Sequence, residues 1–439
     1  MHVYIENLGC AKNQVDAEVM LRRLEEEGWS WTDDPASADL IIVNTCGFIA
    51  PAKEESLETT MALRSRYPEA RILFAGCLAE RYGDDMSDSL PEVDGIFGNR
   101  DVSRVPEAAE KALSGRRAVV KPKEHRLVQG RSRLFTHPGA AYVKLSEGCS
   151  HRCSYCAIPL IRGTLRSYTL EEVLEEVRSL LDRGIFEVNL IGQDLAAFGT
   201  DRGKREFPEL LQRISELSGD FWIRLLYIHP DNFPTEILPL MQRDPRILPY
   251  FDIPFQHASP RVLRDMNRTG DRESYLALLS EIRTALPDAV IRTTFMTGFP
   301  GEKKSDFEEL LRFQREAQFD WAGAFVFSRE EGTPAAGMRG AVGDRLVRGK
   351  AEERKRRLEE EQQRISEERM QRFAGSRLRV LVEEQVAEEE LALGRAYLHA
   401  PEVDGAAVIL AEHTEPGTTF EGRVLRSNGI DLEVEPLYE

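Results

Sequence analysis

The chain has no apolar run long enough to cross a bilayer. Its longest, such as Leu40-Ile41-Ile42-Val43, have the length of a strand, far short of the roughly 20 residues that a spanning helix needs. The opening residues, Met1-His2-Val3-Tyr4-Ile5-Glu6, hold neither a basic stretch nor a long apolar one, so no secretory signal is expected. These absences predict a soluble, cytoplasmic protein with no membrane partner. Basic residues are also short: 58 Lys and Arg face 75 Asp and Glu, for a net charge of -17. That balance disfavours a nucleic-acid partner, whose phosphates bind through positive charge, and it permits attraction to a basic protein. Cysteine is scarce, with six in 439 residues. Where thiols stay reduced, clustered cysteines serve metals or catalysis more often than disulfides.

Apolar residues make up 41% of the chain, ample for real cores, and the length suits several domains. Over 1–120 short strands and helices alternate: strands at His2–Glu6, Leu40–Asn44 and Arg71–Ala75, helices at Val15–Glu27 and around Glu54–Ser65. This is the pattern of an open parallel α/β sheet. A polar, basic stretch, Arg116–Thr136, reads as a linker. A second alternating region, 135–370, offers six strands at Ala141–Ser146, Glu187–Ile191, Trp222–Ile228, Tyr250–Pro254, Val290–Thr297 and Trp321–Phe327. Six are fewer than the eight of a closed barrel, so a partial (β/α)6 barrel is expected. Thr169 and Glu172 form a capping box for a helix stopped at Gly184. The charged stretch Gly349–Phe373 reads as a solvent-exposed connecting helix with sparse contacts at Leu358, Ile365 and Met370. Over 373–437 short strands separated by Gly and Pro turns predict a small β-barrel.

Three of the cysteines form Cys149-x3-Cys153-x2-Cys156. A structural zinc site usually closes four ligands through CxxC pairs, a different spacing. Four-iron clusters normally take four thiolates, and three leave one iron open to a substrate or cofactor. Cys10, Cys46 and Cys77 lie far apart in sequence, but each follows the C-terminal end of an expected strand. In open α/β sheets that edge binds ligands. Buried core thiols are the plain alternative.

The triplet, with Tyr155 directly before its third cysteine, resembles that of radical S-adenosylmethionine (SAM) enzymes. The resemblance implies a 4Fe-4S cluster on Cys149, Cys153 and Cys156 as the catalytic centre, whose open iron chelates SAM and whose electron cleaves it to a 5′-deoxyadenosyl radical. It places Tyr155 beside that cofactor, and Gly192, Gln193 and Asp194 at the SAM amino group. Gly298-Phe299-Pro300-Gly301-Glu302 is either a plain turn or a SAM or substrate contact. His229, Gln256 and His257 either line the cavity or are structural. The surroundings of the scattered cysteines, Asn7-Leu8-Gly9-Cys10-Ala11-Lys12-Asn13 and Val43-Asn44-Thr45-Cys46-Gly47-Phe48, resemble the amino-terminal domain of methylthiotransferases. This implies a second 4Fe-4S cluster on Cys10, Cys46 and Cys77 that carries sulfur.

The last module resembles a TRAM domain, which binds RNA in relatives that modify transfer RNA. Here residues 374–439 hold five arginines against fourteen Asp and Glu, a poor surface for phosphate. The segments Leu8–Asp16, Thr45–Ile49 and Ala400-Pro401-Glu402-Val403-Asp404-Gly405 are similar to RimO-type enzymes, which methylthiolate an aspartate β-carbon of small-subunit ribosomal protein twelve. Ala17 and His399 depart from that family, which favours Ser and Asp there. The resemblance further implies an external electron donor, a sulfur donor and a monomer. Two alternatives stand beside it: a transfer RNA methylthiotransferase of the MiaB type, and a non-catalytic iron–sulfur redox module.

Overall fold

Strand–helix alternation builds the first of two units in this computed structural model. That unit comprises Met1–Phe135, Ser146–Tyr168 and Ser328–Ala336; the second comprises Thr136–Leu145, Thr169–Phe327 and Gly337–Glu439. The structure describes residues 1–115, 117–340, 345–386, 389–411 and 413–437, those of 345–347 by backbone alone. Arg116, where the linker was expected to begin, lies outside the described residues, as do 341–344, 387–388 and 412 of the second and third expected domains.

In the first unit six parallel strands lie side by side in the order Ser30–Trp31, His2–Asn7, Leu40–Thr45, Arg71–Gly76, Gly95–Gly98 and Ala118–Val120. Leu40–Thr45 is buried at every position, as an apolar central strand must be when helices cover both faces. Ile41, Val43, Ile72, Phe74, Leu78 and Ile96 build its core. Ala118–Val120 was expected to be linker. Three residues are too few to show alternation, and this strand is recognisable only by its pairing with Gly95–Gly98. Nor do the basic residues that follow all face water: Arg131 is buried against Glu18 at 2.7 Å. The segment Ser328–Ala336 is held in this unit by Glu330, which accepts from Lys53 Nζ at 2.8 Å and Arg81 Nη1 at 2.5 Å.

In the second unit six parallel strands follow one another in chain order: Ala140–Lys144, Glu187–Ile191, Trp222–Leu225, Ile247–Asp252, Val290–Thr297 and Trp321–Val326. The first and last do not pair, so the barrel is open. Thr169 and Glu172 form the expected capping box of helix Leu170–Asp182. Helix Arg345–Met370 makes the expected contacts at Leu358, Ile365 and Met370, yet packs more fully than a solvent-exposed connector would. It also buries Ala351, Gln362 and Ser366, which with those three make one buried stripe along the helix. Its polar members were not expected: Gln362 Nε2 donates to the Phe319 carbonyl and Ser366 Oγ to that of Asp320. The tail strands close a five-stranded barrel in the order Arg377–Gln385, Ala392–Arg395, Ala407–Ile409, Asp431–Pro436 and Thr419–Asn428.

Candidate iron–sulfur centres

Parallel strands bring the three scattered cysteines to one sheet edge. Cys10 caps helix Ala11–Glu26, Cys46 follows Leu40–Thr45, and Cys77 opens helix Cys77–Met86. Helix N-termini favour a negative thiolate. A Cβ on Gly9, whose φ is +94°, would lie 3.3 Å from Cys46 Sγ, and one on Gly47 would strike the Cys77 backbone at 2.8 Å. The positive φ at Gly9 and the close Cys77 backbone at Gly47 each disfavour a side chain. Cys10 is exposed, Cys46 half-buried and Cys77 buried. Burial pushes the Cys77 thiol up to about 12, with the charges of Cys10 and Cys46 adding to it and that of Arg162 opposing. Burial also raises Cys46. Protein packed around Cys10 raises its thiol, but Lys12, Arg162 and the amides of Asn13 and Lys12 outweigh this and leave it below the usual value. Metal binding must therefore displace protons from Cys46 and Cys77.

The consecutive cysteines sit on a loop of the same unit. Ser146–Glu147 pairs antiparallel with Arg166–Ser167 and closes its base. Cys149 N–H donates to the Gly163 carbonyl at 3.1 Å, and Cys156 N–H to that of Cys153 at 3.1 Å. Gly148 has φ +71°, and a Cβ there would lie 2.1 Å from the Thr164 carbonyl oxygen. The loop is thus drawn tight by backbone contacts, leaving Cys149, Cys153, Cys156 and Tyr155 half-buried. Ala335 N–H donates to the Ser154 carbonyl at 2.8 Å, so the Ser328–Ala336 segment pins it from another side. Among the described residues no three His, Cys, Asp or Glu side chains gather as ligands of one metal ion. Three soft thiol donors per site, with no seventh cysteine in the chain, suit iron–sulfur clusters.

Arg162 was not singled out in the sequence. It ends the short helix Ile158–Arg162, six residues past Cys156. Its buried guanidinium pairs with Asp16 and Glu147, both at 2.8 Å, and Nη2 also donates to Asn13 Oδ1 at 2.7 Å and Cys77 Sγ at 3.4 Å. An arginine six residues beyond a cysteine carries no motif of its own; folding alone reveals the contact.

In the second unit Gln193 follows strand Glu187–Ile191. Its Oε1 and Nε2 are both buried and have no hydrogen-bond partner within the protein, an arrangement that asks for a polar ligand. The Asp194 carboxylate accepts the amides of Ala196 at 3.1 Å and His229 at 3.0 Å, which orders the loop. Gly192 is buried beside them. His257 is fully buried; its Nδ1 accepts the Ala258 and Ser259 amides at 3.0 Å, while its buried Nε2 has no hydrogen-bond partner among the described residues. His399 is also fully buried, and burial pushes its imidazole down to about 3. It lies 6.0 Å from the Trp321 ring.

Comparison with known proteins places this architecture. Residues 2–98 match the model described as Uncharacterized protein family UPF0004, 143–313 the Radical SAM superfamily and 374–437 the TRAM domain. Among solved structures, the radical S-adenosylmethionine methyltransferase TsrM from Kitasatospora setae, with cobalamin and a 4Fe-4S cluster bound, superposes with TM-score 0.56 at 16% identity, covering 76% of this chain and 73% of that one. That likeness concerns the fold. The class is therefore that of the radical SAM superfamily. The chain is 43% identical to the ribosomal protein uS12 methylthiotransferase RimO of Treponema denticola, covering 97% of this chain and 98% of that protein. It is 41% identical to that of Heliobacterium modesticaldum, over 100% and 96%. The chain belongs to the ribosomal protein uS12 methylthiotransferase RimO family.

Proposed function

We infer that this chain is a radical SAM methylthiotransferase that replaces one β-hydrogen of an aspartate in ribosomal protein uS12 with a methylthio group. The observation that carries the reading is that both cysteine triplets belong to one compact unit, each with three thiols and none in reserve. Cys149, Cys153 and Cys156 would hold one 4Fe-4S cluster, and Cys10, Cys46 and Cys77 the other. When bound, the clusters supply the electron that cleaves SAM and the site that carries the sulfur. An aspartate β-carbon is not acidic enough for side-chain bases of ordinary pKa, so a radical route is required. Tyr155, Gly192, Gln193 and Asp194 are assigned to SAM; the partnerless amide of Gln193 is the strongest support among them.

The domains are taken as 1–120 for the sulfur-carrying module, 135–370 for the radical SAM core and 373–437 for TRAM. A basic protein fits the tail module better than RNA does. Three of its five arginines are already spent on carboxylates: Arg379 on Asp220, Arg395 on Glu187 and Glu383, and Arg426 on Glu433. The enzyme works as a cytoplasmic monomer supplied by an external electron donor and a sulfur donor. No helix of the described residues is long and apolar enough to cross a membrane. The test is anaerobic reconstitution of the full chain, followed by dithionite and SAM. Formation of 5′-deoxyadenosine with two clusters' iron per chain is expected; no 5′-deoxyadenosine would reduce the protein to a redox module.

A further inference from the structure

The guanidinium of Arg162 joins the two cysteine triplets. The segment that begins at Cys156 packs on Cys77 through Ala157 and Ile161, all three being buried together. It ends at Arg162, whose Nη2 reaches Cys77 Sγ at 3.4 Å. Asn99 Nδ2 donates to the same sulfur at 3.3 Å. The Cys77 thiol itself donates to Asn13 Oδ1 at 3.2 Å, a bond that ends when metal displaces the thiol proton. Arg162 and Asn99 would then be donors facing a thiolate, and only Arg162 brings a charge.

The arginine is costly to bury, and Asp16 and Glu147 fix it on two sides with side-chain exposures of 3% and 11%. Nη2 makes the Asp16 contact itself, so the pair with Asp16 is what holds the positive charge beside the sulfur. Reduction adds an electron to a cluster, so a fixed positive charge and a donor at a ligand sulfur favour the reduced form. Hydrogen bonds to sulfur and local charge are among the terms that set cluster potentials.

We propose that Arg162 is a positioning residue for the cluster on Cys10, Cys46 and Cys77, raising its reduction potential through the contact with Cys77 and tying it to the loop of the other triplet. This rests on the two-cluster reading above. The full chain carrying Cys149→Ala, Cys153→Ala and Cys156→Ala isolates that cluster. Its midpoint potential is read by redox titration followed by electron paramagnetic resonance, with iron and sulfide measured on the same samples. Adding Arg162→Gln should make reduction about tenfold less favourable, ~59 mV for one electron, at unchanged iron content. Arg162→Lys, which keeps the charge, should recover most of the shift. Asp16→Asn, which frees Arg162 of a counter-charge, should move the potential upward.

An Arg162→Gln protein with full iron and an unmoved potential would overturn the proposal. So would Arg162→Lys shifting as far as Arg162→Gln. If Arg162→Gln cannot hold iron, Asp16→Asn decides, and a potential that stays or falls there overturns the proposal. A parent chain that binds no 4Fe-4S cluster at all defeats the two-cluster reading and this role with it, an outcome distinct from full iron with no shift.

Discussion

Tyr250 Oη donates to Asp404 Oδ2 at 2.6 Å, and the same oxygen accepts the Ala400 amide at 2.8 Å. The segment Ala400–Gly405, which in sequence marks the RimO type, thus has structural work: its one buried carboxylate is spent on barrel strand Ile247–Asp252. Burial raises Asp404 to about 6, against Arg292 and the Tyr250 hydroxyl, which lower it. A carboxyl raised above its unfolded value holds its proton more tightly when folded, so its contribution to stability falls as pH rises from the usual carboxylate range to about 6. Denaturant midpoints measured across that window should show the slope, and Asp404→Asn should flatten it.

Glu187 behaves in the opposite sense. Burial pushes it up, but Arg395 and Arg224 outweigh burial and bring it to about 2. The contacts are 2.5 Å to Arg395 and 2.7 Å to Arg224, with no side chain among the three more than 3% exposed. Its stabilisation is present above the ordinary carboxylate value and lost as pH falls toward 2. Glu187→Gln leaves two buried guanidinium groups short of a counter-charge, at about 3–5 kcal/mol. Urea unfolding of this variant against the parent measures that cost, which should shrink as pH falls toward 2.

The proposed assignment divides the labour between the two triplets. Cys153→Ala should abolish 5′-deoxyadenosine, measured chromatographically after reduction with SAM present. Cys46→Ala should keep SAM cleavage and lose methylthio transfer. Transfer retained by Cys46→Ala would contradict the assignment of sulfur to the scattered triplet.

Gln193→Ala separates a ligand contact from a structural one. An unpaired buried amide costs about 1–3 kcal/mol, so removing it should not lower the unfolding midpoint. Loss of its hydrogen bonds to a ligand should weaken SAM binding about tenfold, as calorimetry would read. An unchanged SAM affinity would remove Gln193 from the SAM site.

Much of this was legible in the chain because the cysteines sit where strands end. Leu40–Thr45, Glu187–Ile191 and Val290–Thr297 announce themselves as apolar, β-branched runs, and the cysteines follow such strands. Ser30–Trp31, Gly95–Gly98 and Ala118–Val120 did not, since two to four residues carry no period and pair only once a neighbour exists. In helix Arg345–Met370 the apolar contacts Leu358, Ile365 and Met370 were legible, but the extent of its burial was masked by Gln362 and Ser366, polar residues that bond backbone carbonyls. Arg162 and the Ser328–Ala336 segment were invisible for a different reason: their partners Asp16, Cys77, Arg81 and Ser154 are distant in sequence, and nothing local marks either end of such a contact.

The central claim is tested most directly by mass spectrometry of ribosomal protein uS12 and of digested transfer RNA from cells lacking this gene and from complemented cells. The account predicts that uS12 loses one methylthio group in the deletion and regains it on complementation, with transfer RNA unchanged. A methylthio group lost from transfer RNA while uS12 stays the same would contradict it.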